Sequence, residues 1–168
     1  MYPKYKTYIF KSQFYILISL LALLALALVI WVLIPFGYGI KQSELTKNLT
    51  QEQISTLAIS LATKTLIAYL ANNFVLIFFL IYLVLLRHKL KAGYVFFICW
   101  ILVFITLIFL PFYQGTSFYT TFQLGLGILV SLISGSVVIS LIIFLAQYHI
   151  QRKFNYYQWY KIHKGKSK

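Results

Sequence analysis

Few side chains in this sequence could do chemistry, and where they stand limits what that chemistry could be. The 168 residues include two acids, Glu44 and Glu52, three histidines, His88, His149 and His163, and one cysteine, Cys99. Both acids fall in one polar stretch between apolar segments, so no carboxylate pair can face a reacting bond inside those segments. Surface solvation accounts for both. A single cysteine forms no intramolecular disulfide, which excludes a paired-thiol oxidase. The histidines stand at or beyond the ends of the apolar runs, where they can hold neither a haem nor a metal within them. Proton- and ion-coupled carriers usually need an ionisable group inside the membrane, and no Asp, Glu, Lys or Arg lies within a predicted span. No catalytic activity, cofactor or metal is expected.

Three weaker patterns remain. Asn72 and Asn73 are the most polar residues inside a span, where a buried amide seeks a partner across a helix interface or lines a wet cavity. Gly127, Ser131 and Gly135 recur every fourth residue, and Ser136 and Ser140 repeat that spacing beside them. Small residues on one face let helix backbones approach closely, within the chain or between subunits. Finally, the 148–168 tail mixes Phe154, Tyr156, Tyr157, Trp159 and Tyr160 with six basic residues. Arg152, Lys153, Trp159, Lys161 and Lys164 are expected to meet anionic lipid headgroups.

The elements that carry these residues follow from where charge is missing. Uncharged windows of 29, 22 and 60 residues separate Lys11 from Lys41, Lys64 from Arg87 and Lys91 from Arg152. A span takes about 20 residues, so the first two windows hold one each. The third would make a helix of about 90 Å and must fold back once. Pro111, Gln114, Gly115, Thr116 and Ser117 mark the turn. The fold predicted is all-α and integral to the membrane. It has four transmembrane helices, at about 14–36, 65–86, 94–112 and 121–147, in one bundle-forming domain. The Lys-flanked first run is too long for a signal-peptide core, so it is expected to be retained.

Between the first two spans, residues 37–64 form the one sizeable outer connection. Thr50 followed by Gln53 is a capping-box pattern, and Ile54, Leu57, Ala58 and Leu61 recur at helical spacing. This amphipathic helix is expected either to continue into the second span or to lie along the outer leaflet. Pro35-Phe36 and Pro111-Phe112 end two spans alike, a thin hint of duplication.

The charge balance, 15 basic residues to 2 acidic in a chain that is 61% hydrophobic, first suggests a polyanion. Sorted by segment, 12 of the basic residues and no acid fall in the N-terminus, the second connection and the tail. The positive-inside rule then places both termini in the cytoplasm. Aromatics near the span ends, among them Trp31, Trp100, Tyr94, Tyr113 and Tyr119, are expected at the headgroup level. No nucleic-acid partner is expected. Abundant Lys, Ile, Phe, Tyr and Asn suit an AT-rich, bacterial source.

The expectation is therefore a multi-pass cell-membrane protein that works by contact, as an accessory, regulatory or immunity-type subunit. Its expected partners are membrane lipid and another membrane protein or a second copy. The alternative is a small transport or channel module for an uncharged or lipid-like substrate. That alternative requires Asn72, Asn73, Ser131 and Ser134 to share one wet cavity.

Overall fold

The computed structural model describes residues 5–38, 48–113, 115–117 and 119–164, with backbone alone for 34–38. Lys4, Lys41, Glu44, Lys47, Gln114, Phe118, Lys166, Lys168 and the 39–47 part of the outer connection lie outside the described residues. Where water is absent, a helix satisfies each backbone donor and acceptor within its own segment. Nearly all of the described chain is helical. Its four helices are α1 (Lys11–Tyr38), α2 (Gln51–His88), α3 (Tyr94–Phe109) and α4 (Thr121–Lys164), each long and apolar enough to cross a membrane once α3 is taken with the turn that follows it, as Tyr94–Phe112. A 3-10 turn, Leu110–Phe112, prolongs α3.

Two helices run far past the spans expected of them. The amphipathic segment after Thr50 continues into the second span without interruption as α2, begun by a capping box. The Thr50 hydroxyl accepts the Gln53 N–H at 3.4 Å, and the Gln53 side chain accepts the Thr50 N–H at 3.0 Å. The tail is a continuation of α4, because neither Pro nor Gly occurs between Gly135 and Gly165 to stop the helix. The two Pro-Phe sequences differ in backbone. Residue 35 sits inside α1, which continues to Tyr38, whereas Pro111 is buried in the 3-10 turn.

Helix α1 packs on α2 and on α4, and α4 packs on α3. Buried positions follow steps of three and four. In α1 they are Leu17, Leu21, Leu24, Leu28 and Trp31, and in α3 they are Phe97, Trp100, Phe104 and Leu107. In α4 the seam runs Gln123, Gly127, Val130, Ser134, Val137, Leu141, Phe144 and Tyr148. Such a rhythm keeps one stripe against its neighbours when helices cross at about 20°. Trp31 and Trp100 belong to these seams. Trp31 is only 1% exposed, and its Nε1 has no hydrogen-bond partner among the described residues.

Helices α2 and α3 meet differently. Their backbones stay apart, and aromatic rings bridge them. Phe79 lies 4.4 Å from Trp100, 5.0 Å from Phe104 and 6.3 Å from Phe96, centroid to centroid. Tyr82 lies 5.5 Å from Phe96. The rings act as struts that hold the two helices apart over their shared length.

Candidate functional site

The strutted interface leaves a lateral groove of about 1110 Å³. Phe74, Val75, Phe78 and Tyr82 of α2 form one wall, and Val95, Phe96, Cys99, Trp100 and Val103 of α3 form the other. Phe74, Phe78, Val95 and Cys99 are exposed, so the groove opens on the outer surface of the helices. One end closes on Tyr5, Lys6, Lys91, Gly93, Tyr94, Tyr148 and Arg152. The walls are hydrocarbon and ring surface; the closed end is basic and phenolic.

That end is built by three segments remote in sequence. Thr7 and Ala92 exchange backbone hydrogen bonds, Thr7 N–H to Ala92 O at 3.3 Å and Ala92 N–H to Thr7 O at 2.6 Å. Neighbouring residues in an extended pair point to alternate sides. Ala92 is buried, whereas Lys6 and Lys91 project on the other side and are exposed. The Arg87 guanidinium donates to Ile9 O at 3.0 Å, and the Tyr148 hydroxyl donates to Tyr5 O at 2.6 Å. Gln13 Nε2 donates to Gln147 Oε1 at 2.6 Å, the Tyr5 hydroxyl donates to Gln151 Oε1 at 3.3 Å, and the Tyr94 hydroxyl bonds His149 Nδ1 at 2.6 Å. The N-terminus, the α2–α3 connection and α4 near residue 150 are thus locked together. Arg152 stacks over the Tyr94 ring at 5.0 Å and Lys91 over the Tyr8 ring at 5.5 Å. These contacts orient the cations without neutralising them.

Residues singled out from the sequence take separate places. Asn72 is buried on the α2 seam, and Asn73 Nδ2 donates to Tyr69 O of its own helix at 3.0 Å. Gly127 faces the end of α3, where an added Cβ would meet Pro111 Cβ at 3.3 Å. Ser131 donates to Ile108 O at 2.6 Å, satisfying a carbonyl in the last turn of α3 that lacks a full intrahelical partner. Gly135 also faces Ile108. Ser136 and Ser140 bond back to Leu132 O and Ser136 O on α4 itself. Ser134 is sealed at 0% exposure, with no hydrogen-bond partner among the described residues. None of Asn72, Asn73, Ser131 and Ser134 lines the groove.

Within the tail, Arg152 belongs to the groove end, while Lys153, Lys161 and Lys164 lie on exposed helix. Trp159 stacks on His163 at 4.5 Å, and Lys164 sits 4.9 Å over the Tyr160 ring. At the opposite end of the helices the Tyr119 hydroxyl donates to Pro111 O at 3.0 Å. Burial pushes its phenol above the ordinary tyrosine range, and nearby Tyr113 adds to the rise.

The groove was not legible in the sequence because apolar residues surround α2 and α3 on every face. Gln13, Arg87 and Gln147 were missed as structural donors and acceptors. Their polar character beside apolar runs was the available signal. Compared with protein-family models, curated proteins and solved structures, the chain gives no match.

Proposed function

We propose that the chain is a non-catalytic, multi-pass cell-membrane protein that works by contact, as an accessory, regulatory or immunity-type subunit of a membrane complex. Both termini face the cytoplasm in this reading, because the 12 basic residues of the N-terminus, second connection and tail fall to one side. The observation that carries it is the pair of helical overhangs. At 1.5 Å per residue, α2 is about 57 Å long and α4 about 66 Å, against a hydrocarbon core of about 30 Å. Residues 51–64 and 148–164 therefore project at opposite ends. Both carry outward apolar groups, Ile59 at 67% exposure on one and Phe154, Tyr157 and Ile162 on the other. Phe154, Tyr157 and Ile162 supply the exposed apolar surface that this reading assigns to a partner, whereas Ile59 stands alone among the described residues of the other overhang.

Co-purification of the full chain in mild detergent, combined with sedimentation analysis, tests this reading. A partner or second copy should be retained, and Phe154→Ser with Ile162→Ser should release it. A strictly monomeric chain with no partner would overturn the proposal. The transport reading draws support only from the groove. Of the polar residues it calls on, Asn73 and Ser131 bond backbone carbonyls, Ser134 is sealed, and none of them lines the groove.

A further inference from the structure

We infer that the α2–α3 groove is a binding site for one anionic phospholipid, with its phosphate among Lys6, Lys91 and Arg152 and an acyl chain along the aromatic walls. Dimensions and charge carry the inference. The α3 wall runs from Gly93 at the basic end to Val103. At 1.5 Å per residue that is about 15 Å, half of the roughly 30 Å hydrocarbon core. The groove therefore has the depth of one leaflet, with its basic end where headgroups lie. A lipid of one leaflet matches that depth.

The charge at the closed end asks for an anion. Lys6, Lys91 and Arg152 converge there, and Glu52, the one acid among the described residues, starts α2 at the far end. The Tyr8 and Tyr94 rings hold Lys91 and Arg152 in place without cancelling their charge. The hydroxyls of Tyr94 and Tyr148 are already engaged by His149 and Tyr5, so the net charge of the end comes from the three cations. The site rests on the helices spanning a bilayer, and is independent of which leaflet it faces or whether a protein partner exists.

Cys99, exposed on the groove wall and the single cysteine of the chain, supplies the readout. Its maleimide labelling would be followed on the full chain in uncharged detergent, with added phosphatidylglycerol, phosphatidylcholine or inorganic phosphate. Phosphatidylglycerol should slow labelling at a concentration at least about fivefold lower than phosphatidylcholine, and inorganic phosphate should not slow it. Lys6→Gln, Lys91→Gln and Arg152→Gln together should raise the phosphatidylglycerol concentration needed on the order of a hundredfold, about fivefold per charge near the headgroup. Leu23→Cys, outward on α1 and made in the Cys99→Ser background, should show no lipid preference. Equal slowing by both lipids, an unaffected triple variant, or the same preference at Leu23 would overturn the site. Each of those results would leave the contact reading intact.

Discussion

Replacing Phe79 by alanine removes the ring that joins α2 to α3. Phe79 is 0% exposed and meets Trp100, Phe104 and Phe96 with centroids 4.4, 5.0 and 6.3 Å away. In a soluble core such a truncation costs about 3–5 kcal/mol, transfer and cavity together. In lipid the transfer part shrinks, because acyl chains are as apolar as the helix interface. What remains is ring contact, about 0.5–1.5 kcal/mol per aromatic pair, so three pairs put the cost at about 1.5–4.5 kcal/mol. Phe74, five residues earlier in the same apolar run, is 74% exposed. Its replacement by alanine should change stability by less than about 0.5 kcal/mol. Reversible unfolding in mixed micelles, titrated with a denaturing detergent, measures both. If Phe74→Ala costs as much as Phe79→Ala, hydrophobicity alone holds the helices and the seam assignment is wrong. A Phe79→Ala cost below about 0.5 kcal/mol would equally remove the rings as struts.

Two glycines on α4 should respond oppositely to alanine. Gly127→Ala should destabilise by about 1–3 kcal/mol, since its Cβ presses on Pro111, whereas Gly125→Ala, with nothing within 4 Å, should gain up to about 1 kcal/mol in the same unfolding assay. Gln13→Leu should cost about 1–3 kcal/mol by stranding the Gln147 amide, and adding Gln147→Leu should recover part of the loss in a double-mutant cycle. The Tyr119 phenol is shifted upward from 10.0, so its contribution to stability is complete below that pH and lost as pH rises through the higher folded-state value. Tyr119→Phe should flatten that alkaline decline, and an unchanged decline would show that Tyr119 has no part in it.

How far each element could be read depended on whether its signal was local. The turn near Pro111 and the capping box at Thr50 were legible because each is set by neighbouring residues. The expected span of 121–147 is shorter than α4, Thr121–Lys164, because the charges from Arg152 onward end the apolar span and not the helix. Arg152 could be read from the sequence as one of the tail's cations, but its place over the Tyr94 ring at the groove end could not. Gly127, Ser131 and Gly135 were recognisable as a close-approach face, but nothing in their spacing named α3 as the neighbour. The bonds from Tyr5, Gln13 and Arg87 join residues 78 to 146 positions apart, beyond any sequence pattern.

Composition and charge order alone determined four apolar helices, because a segment without charges must satisfy its backbone internally once it leaves water. They could not determine which face of each helix turns inward. In a water-soluble bundle the hydrophobic stripe marks the buried side, but here leucines and phenylalanines cover every face and lipid accepts them all equally. Shape decides instead. Side chains that interlock at steps of three and four close α1 on α2 and α4, and α4 on α3. The rings of Phe79, Trp100 and Phe104 are too large to let α2 and α3 close in the same way. The groove and its basic end exist only because of that steric difference.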